Sequence, residues 1–197
     1  MKHEDETAYT DDSWQENLLG ITQKSLIDQE EARGFALLYE AFIPMLTVDT
    51  TLDISLILEL HKLALGHIYH WAGKWRRSTP TVGSYLPPSS DKVPMLMAEY
   101  AYYCRQKLEL AKSREELAET LAYAHHRLVW IHPFVNGNGR TARVITDILA
   151  LIKGYNPVNL YHRQGEARND YISALRNADK GDYSALKDLL LAELATS

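Results

Sequence analysis

His132-Pro133-Phe134-Val135-Asn136-Gly137-Asn138-Gly139-Arg140-Thr141-Ala142-Arg143 is the stretch that decides how this chain reads, because it sets a base, a glycine-flanked turn and two guanidiniums side by side. Upstream, Glu115 to Ile131 carries Leu117, Leu121, Ala124, Leu128 and Ile131 at the three-and-four spacing of one helical face. Pro133 closes that helix. Downstream, a second helix is expected to begin near Asn138, an N-cap residue type, and to run through Ile145, Ile148, Leu149 and Ile152 to a stop at Gly154. Gly137 and Gly139 permit positive φ, so successive N–H groups around Asn138 can turn onto one anion. The positive dipole end of the second helix faces the same place. Arg140 and Arg143, i and i+3 in its first turn, bring forked donors to that anion from one side. A diphosphate suits this equipment better than a single charge.

The stretch resembles the signature of the Fic family, His-x-Phe-x-(Asp/Glu)-Gly-Asn-Gly-Arg-x-x-Arg, and all but one of the fixed positions match. Two further segments resemble the family. Thr81-Val82-Gly83-Ser84-Tyr85-Leu86-Pro87-Pro88 is similar to the flap that lays a target's peptide beside the site, and Gly154-Tyr155-Asn156-Pro157 through Asp182-Tyr183 follows the family's closing pattern. The resemblance implies an all-α Fic fold: a helical bundle with a central helix-loop-helix motif and a short β-hairpin flap. It places the Fic domain at 52–192 and leaves 1–51 as an N-terminal helical extension packing on the core.

The activity that the resemblance implies is transfer of AMP from ATP to a hydroxyl side chain of a target protein. His132 would accept the hydroxyl proton, a task suited to a group titrating near neutral pH. The amides of Gly137 to Gly139, with Asn138, would hold the α- and β-phosphates. Arg140 would neutralise the leaving diphosphate, Arg143 would hold the γ-phosphate, and Phe134 would face the core and set the loop. Thr81, Val82, Gly83, Ser84 and Tyr85 would dock the target. ATP is the implied substrate and Mg²⁺ the implied cofactor.

The departing position is Asn136, where the family has the Asp or Glu that binds magnesium. An amide oxygen is a neutral and weaker ligand for a hard cation, so metal affinity is expected to fall. Restoring a carboxylate at 136 is expected to tighten the metal and raise the rate. Asn136 also keeps open a weakened, binding or regulatory role for the fold, or the use of another nucleotide. The family's inhibitory string, Ser/Thr-x-x-x-Glu-Gly/Asn, is absent; the nearest segments are Ser184 to Leu189 and Thr7 to Asp12. Inhibition would then come from a separate antitoxin-like chain, as in a toxin–antitoxin pair, or be missing.

A different class starts from the histidines. His67 and His70 are i and i+3, and His61, His125, His126 and His132 add to a helical metallohydrolase reading. No carboxylate stands at the spacing such sites use, and the zinc-hydrolase strings are missing.

Composition agrees with a small enzyme of the cytoplasm. The chain has 197 residues, 46 % of them hydrophobic, enough for one good core. A single Cys104 gives no internal disulfide. Met1 to Asp12 is polar and acidic without an apolar leader segment, and no stretch approaches a membrane span. The net charge of −5 carries no basic stripe, which leaves a nucleic-acid partner unsupported. The remaining periodic segments, 28–42, 52–71, Met95 to Ala111 and Tyr183 to Leu194, predict helices; Gly73 to Pro94, with its four prolines, predicts a loop. Trp71, Trp75 and Trp130 are expected to pack as core or flap support.

Overall fold

The computed structural model describes residues 13–80, 85–160 and 164–195, and it is helical nearly throughout. The helices are α1 (Lys24–Leu37), α2 (Ile54–Leu65), α3 (Val93–Leu110), α4 (Arg114–Ile131), α5 (Asn138–Ile152), α6 (Glu166–Ala178) and α7 (Ser184–Glu193). Each predicted helix is present, with ends shifted by a few residues. Predicted segment 52–71 is the most shortened, because Asp53 caps α2 by accepting from the Leu56 N–H at 2.8 Å and the chain leaves the helix at Gly66. Residues 81–84, and with them most of the expected hairpin flap, lie outside the described residues.

α4 is the hub. All five residues of its predicted stripe, Leu117, Leu121, Ala124, Leu128 and Ile131, are buried, and it packs against α3, α5 and α7. Its start is fixed by a capping box, in which Ser113 accepts from the Glu116 N–H and the Glu116 carboxylate accepts from the Ser113 N–H. α5 returns antiparallel through the short motif loop and buries Val144, Ile145, Ile148 and Leu149. The two helices hold the loop between them at one end of the core.

α1 packs on α2 at unusually short range. A Cβ on Gly34 would stand 1.9 Å from the Ala64 carbonyl oxygen, so only glycine admits this approach. The inward face of α1 is Ile27, Glu31, Gly34 and Phe35, followed by Leu38; Ala32 and Ala36, which the periodicity also suggested, are exposed. α1 ends in a π-turn segment, Leu38–Phe42, which wides the backbone locally. From it Tyr39 donates to the Asp147 carboxylate of α5.

Candidate active site

His132 is the C-cap of α4 and takes a left-handed conformation, φ 52° and ψ 57°. It is the non-glycine residue with positive φ among the described residues, a local strain that the surroundings must hold in place. Arg76 does much of the holding. This buried side chain donates from Nε to the His132 carbonyl at 2.6 Å, from Nη1 to the Ser78 carbonyl at 2.8 Å, and from Nη2 to the Pro88 and Ile131 carbonyls. One guanidinium therefore caps the end of α4 and ties both roots of the flap to it.

Burial holds the His132 imidazole at about 4; a hydrogen bond to the Val129 backbone opposes that shift and the Arg76 charge adds to it. The sequence expectation of a group titrating near neutrality is corrected accordingly. The ring is neutral at pH 7, the state in which an imidazole can act as a base.

The loop from 133 to 137 is set from beneath by side chains it does not contain. His61 of α2 accepts from the Gly73 N–H at Nδ1 (2.9 Å), which makes Nε2 the donor to the Asn136 carbonyl (3.0 Å). Its ring stacks on Phe134 with centroids 3.7 Å apart and planes within 9°. Phe134 is fully buried, as expected for a residue that sets the loop. Burial, first, lowers His61 to about 4, so this buttress is also neutral.

The second helix begins at Asn138, as expected, but Asn138 is not its cap. Gly137 occupies the cap position, with φ 78°, and Asn138 is the first residue of α5. The Asn138 side chain is buried and turned back on the loop, accepting from the Phe134 N–H at 2.9 Å and donating to the Phe134 carbonyl at 3.1 Å. Gly139 lies inside the helix, so the positive φ of the turn belongs to Gly137 and His132. The N–H groups with no acceptor one turn earlier in their own helix are thus the first-turn amides of α5, those of Asn138, Gly139 and Arg140. The Asn138 side chain shapes that nest by locking the loop.

The two arginines sit differently. Arg140 donates from Nη2 to the Glu31 carboxylate at 2.7 Å, and its guanidinium lies 5.1 Å from the Phe35 ring centroid. Arg143 acts by its charge on α5's buried Asp147, whose carboxyl burial raises to about 6 while the Tyr39 hydroxyl, the Val158 N–H and the Arg143 charge pull it back. Glu31 and Arg76 escaped the sequence reading, which named His61 only among the histidines of a metallohydrolase and not as a support of the loop.

Asn136 turns its amide oxygen onto the Gly137 N–H (2.6 Å) and its amide nitrogen toward Glu31 (3.4 Å). Among the described residues no group of three His, Cys, Asp or Glu side chains is placed to share a metal ion. That donor set does not fit a cation gripped by the protein. The histidines of the metallohydrolase reading are also dispersed. His125 pairs with Thr146 and Tyr171, and His126 with Tyr183 and Asp179. His67 lies 3.9 Å from Glu30 and His70 is exposed.

Of the flap, Tyr85 is described: its hydroxyl donates to the Trp130 carbonyl at 2.8 Å. Thr81, Val82, Gly83 and Ser84 lie outside the described residues, as does the segment Thr7 to Asp12. Trp75 packs on Phe134, Trp71 stacks on Tyr69, and Trp130 lies under Arg127.

A Fic/DOC family pattern matches residues 51–150, which contain the whole motif. The chain belongs to the Fic/DOC family. It is 32 % identical over 168 residues to protein adenylyltransferase Fic of Drosophila persimilis, an alignment covering 85 % of this chain and 32 % of the relative. The chain thus spans about a third of the length of that relative. Among solved structures, the BepC effector of Bartonella tribocorum with bound AMPPNP superposes with a TM-score of 0.77 at 19 % identity, covering 92 % of both chains. Fic-1 of C. elegans, at 26 % identity, gives 0.63 and covers 83 % of this chain and 46 % of its own. The Fic fold is therefore the fold of this protein.

Proposed function

We propose that this Fic protein is a protein adenylyltransferase: it moves AMP from ATP onto a Ser, Thr or Tyr hydroxyl of a target protein. The observation that carries the reading is a buried, neutral His132 in strained backbone at the end of α4, separated only by the loop from 133 to 137 from the first turn of α5 with its motif arginines. In this reading the acceptor nitrogen of His132 takes the hydroxyl proton as the oxygen bonds to the α-phosphorus. The bond from that phosphorus to the α–β bridging oxygen breaks, and diphosphate leaves. Amides of Asn138, Gly139 and Arg140 stabilise charge on the α- and β-phosphate oxygens; Arg140 receives the departing diphosphate and Arg143 orients it through the γ-phosphate. Gly137 shapes the turn. Tyr85, with Thr81, Val82, Gly83 and Ser84, lines up the target's backbone.

Magnesium belongs in this reading to the nucleotide. ATP brings it on its own phosphates, and Asn136 offers it at most one neutral oxygen. Residues 52–192 form the catalytic domain, and 1–51 is an extension docked on it through α1. No helix among the described residues is long and apolar enough to cross a membrane; a cytoplasmic site of action and restraint by a separate antitoxin-like chain complete the proposal.

Incubation with a cell lysate and ATP labelled at the α-phosphate tests it. Label should appear in protein from the α-labelled nucleotide and not from γ-labelled ATP. Protein label from the γ-position alone would replace AMP transfer by phosphoryl transfer.

A further inference from the structure

Glu31 is the feature that neither the motif nor the family match contains. It lies on α1, before residues 51–150, yet its side chain reaches the motif loop and is only 5 % exposed. A buried carboxylate is retained where donors satisfy it. Here the Tyr69 hydroxyl donates to Oε1 at 2.5 Å, Arg140 Nη2 to Oε2 at 2.7 Å, and Asn136 Nδ2 approaches Oε1 at 3.4 Å. Phe35, one turn along α1, lies against the same guanidinium. Arg140 is thus held by two consecutive turns of α1, while its own side chain keeps 24 % exposure.

We propose that Glu31 is a positioning residue for the nucleotide site: its carboxylate fixes Arg140 toward the diphosphate and makes a neutral side chain necessary at position 136. The inference rests on the adenylyltransferase reading for its kinetic part. Glu31 lies beneath the arginine and is locked by Tyr69, so it fastens the guanidinium and leaves the fork's other donors to phosphate. A carboxylate fixed at that spot also explains Asn136. The Asn136 amide nitrogen donates toward Glu31, whereas an aspartate of the same shape would set an anionic oxygen in that position, two like charges in a largely buried place. Restoring a carboxylate at 136, which the sequence alone expects to raise the rate, should lower it while Glu31 is present.

Four chains decide this: the parent, Glu31→Gln, Asn136→Asp, and the two together. Glutamine keeps the shape and an acceptor for Tyr69, so folding is retained and only the charge is lost. Calorimetry with ADP and AMP is the first readout. Glu31→Gln should weaken ADP about tenfold or more, the scale of one charge-assisted contact, and leave AMP within about twofold, because a slack Arg140 fails the β-phosphate and not the α. Labelled-AMP transfer should show the same loss in kcat with the target KM unchanged. Asn136→Asp should reduce transfer in the parent and increase it in the Glu31→Gln background. Equal ADP and AMP losses, transfer by Glu31→Gln at or above the parent, or a gain from Asn136→Asp with Glu31 in place would each overturn the proposal. A parent that binds ADP but labels no protein would end the transferase reading alone; the ADP-to-AMP split still decides Glu31. A parent that binds neither nucleotide would end the nucleotide reading, and the melting temperature then decides Glu31's hold. Asn136→Asp should lower it with Glu31 present and not in the Glu31→Gln background; equal shifts would overturn the hold as well.

Discussion

The motif loop and the base of the flap face each other across the same histidine, and they are built in opposite ways. The loop from 132 to 140 is clamped on every side: His61 and Phe134 stack beneath it, Asn138 ties it to itself, Arg76 caps the helix that leads in, and Glu31 holds the arginine that leads out. The flap end from 85 to 88 has two described side-chain anchors, the Tyr85 hydroxyl on Trp130 and the Arg76 guanidinium on the Pro88 carbonyl, beside a Leu86 that is 69 % exposed. Under the proposed transferase reading, the chemistry is preorganised on the nucleotide side, where the reacting phosphate is always the same. The same reading makes the flap the side that accommodates a target's protein segment by its backbone.

That contrast predicts unequal consequences for mutations on the two sides. The largest belongs to His132. His132→Ala should reduce labelled-AMP transfer by about 10²-fold or more, the scale of a lost general base, with ATP affinity within a few fold in calorimetry because the amide nest is untouched. Transfer equal to the parent would remove His132 from the mechanism and the loop's preorganisation with it.

Arg143 comes next. Losing a charge-assisted phosphate contact costs about 1.5–3 kcal/mol, so Arg143→Ala should weaken ATP by tenfold or more and AMP hardly at all. Titration with both ligands checks it. Equal losses would place Arg143 away from the γ-phosphate and return it to a purely structural partnership with Asp147.

The clamped side also carries a pH signature. His61 and His132 are held at about 4 and His125 at about 3 by burial, against an unfolded value near 6.5. In each case the unfolded chain binds the proton first, so the stability they contribute is complete above about 6.5 and drains away as pH falls toward 4. Asp147, raised to about 6, works in the other direction over the same range, since its folded form takes up a proton early. With His126 also lowered by burial, four imidazoles against one carboxyl leave a net uptake of protons on unfolding near pH 5. Urea unfolding at pH 7, 6 and 5 should show stability falling with acid, and the pH dependence of kcat/KM should show its acid limb well below pH 6. A rate that halves near 6.5 would mean that His132 is solvated and its clamp loose.

What could be read in the sequence follows the reach of local rules. The helices were legible because burial repeats along a face, as on α4 from Leu117 to Ile131. The loop was legible because its residues are consecutive. The role of Asn138 is not legible, since an Asn at a helix start looks the same whether its side chain turns forward to the helix or back to Phe134. Glu31, His61 and Arg76 act on residues 56 to 109 positions away, and no local pattern carries that distance. Glu31 did leave one trace: it stands between Ile27 and Phe35 on the apolar stripe of α1, where a carboxylate must be paired. It was hidden by its neighbours Asp28 and Glu30, which make the segment look like a solvated acidic face.

The smallest effect is expected from the accommodating side. Tyr85→Phe removes the hydroxyl that donates to the Trp130 carbonyl, an exchange of a neutral hydrogen bond worth about 0.5–1.5 kcal/mol. The carbonyl it leaves is at the end of α4, within two residues of His132, yet Arg76 holds the adjoining carbonyls of Ile131 and His132 independently. The base should therefore stay in place while the flap root gains freedom. The expected result is a target KM raised about two- to tenfold, with kcat and ATP affinity close to the parent, measured on whichever protein is labelled in lysate. If kcat falls instead, Tyr85 is part of the clamp on His132, and the division between a fixed nucleotide side and a yielding target side is drawn in the wrong place.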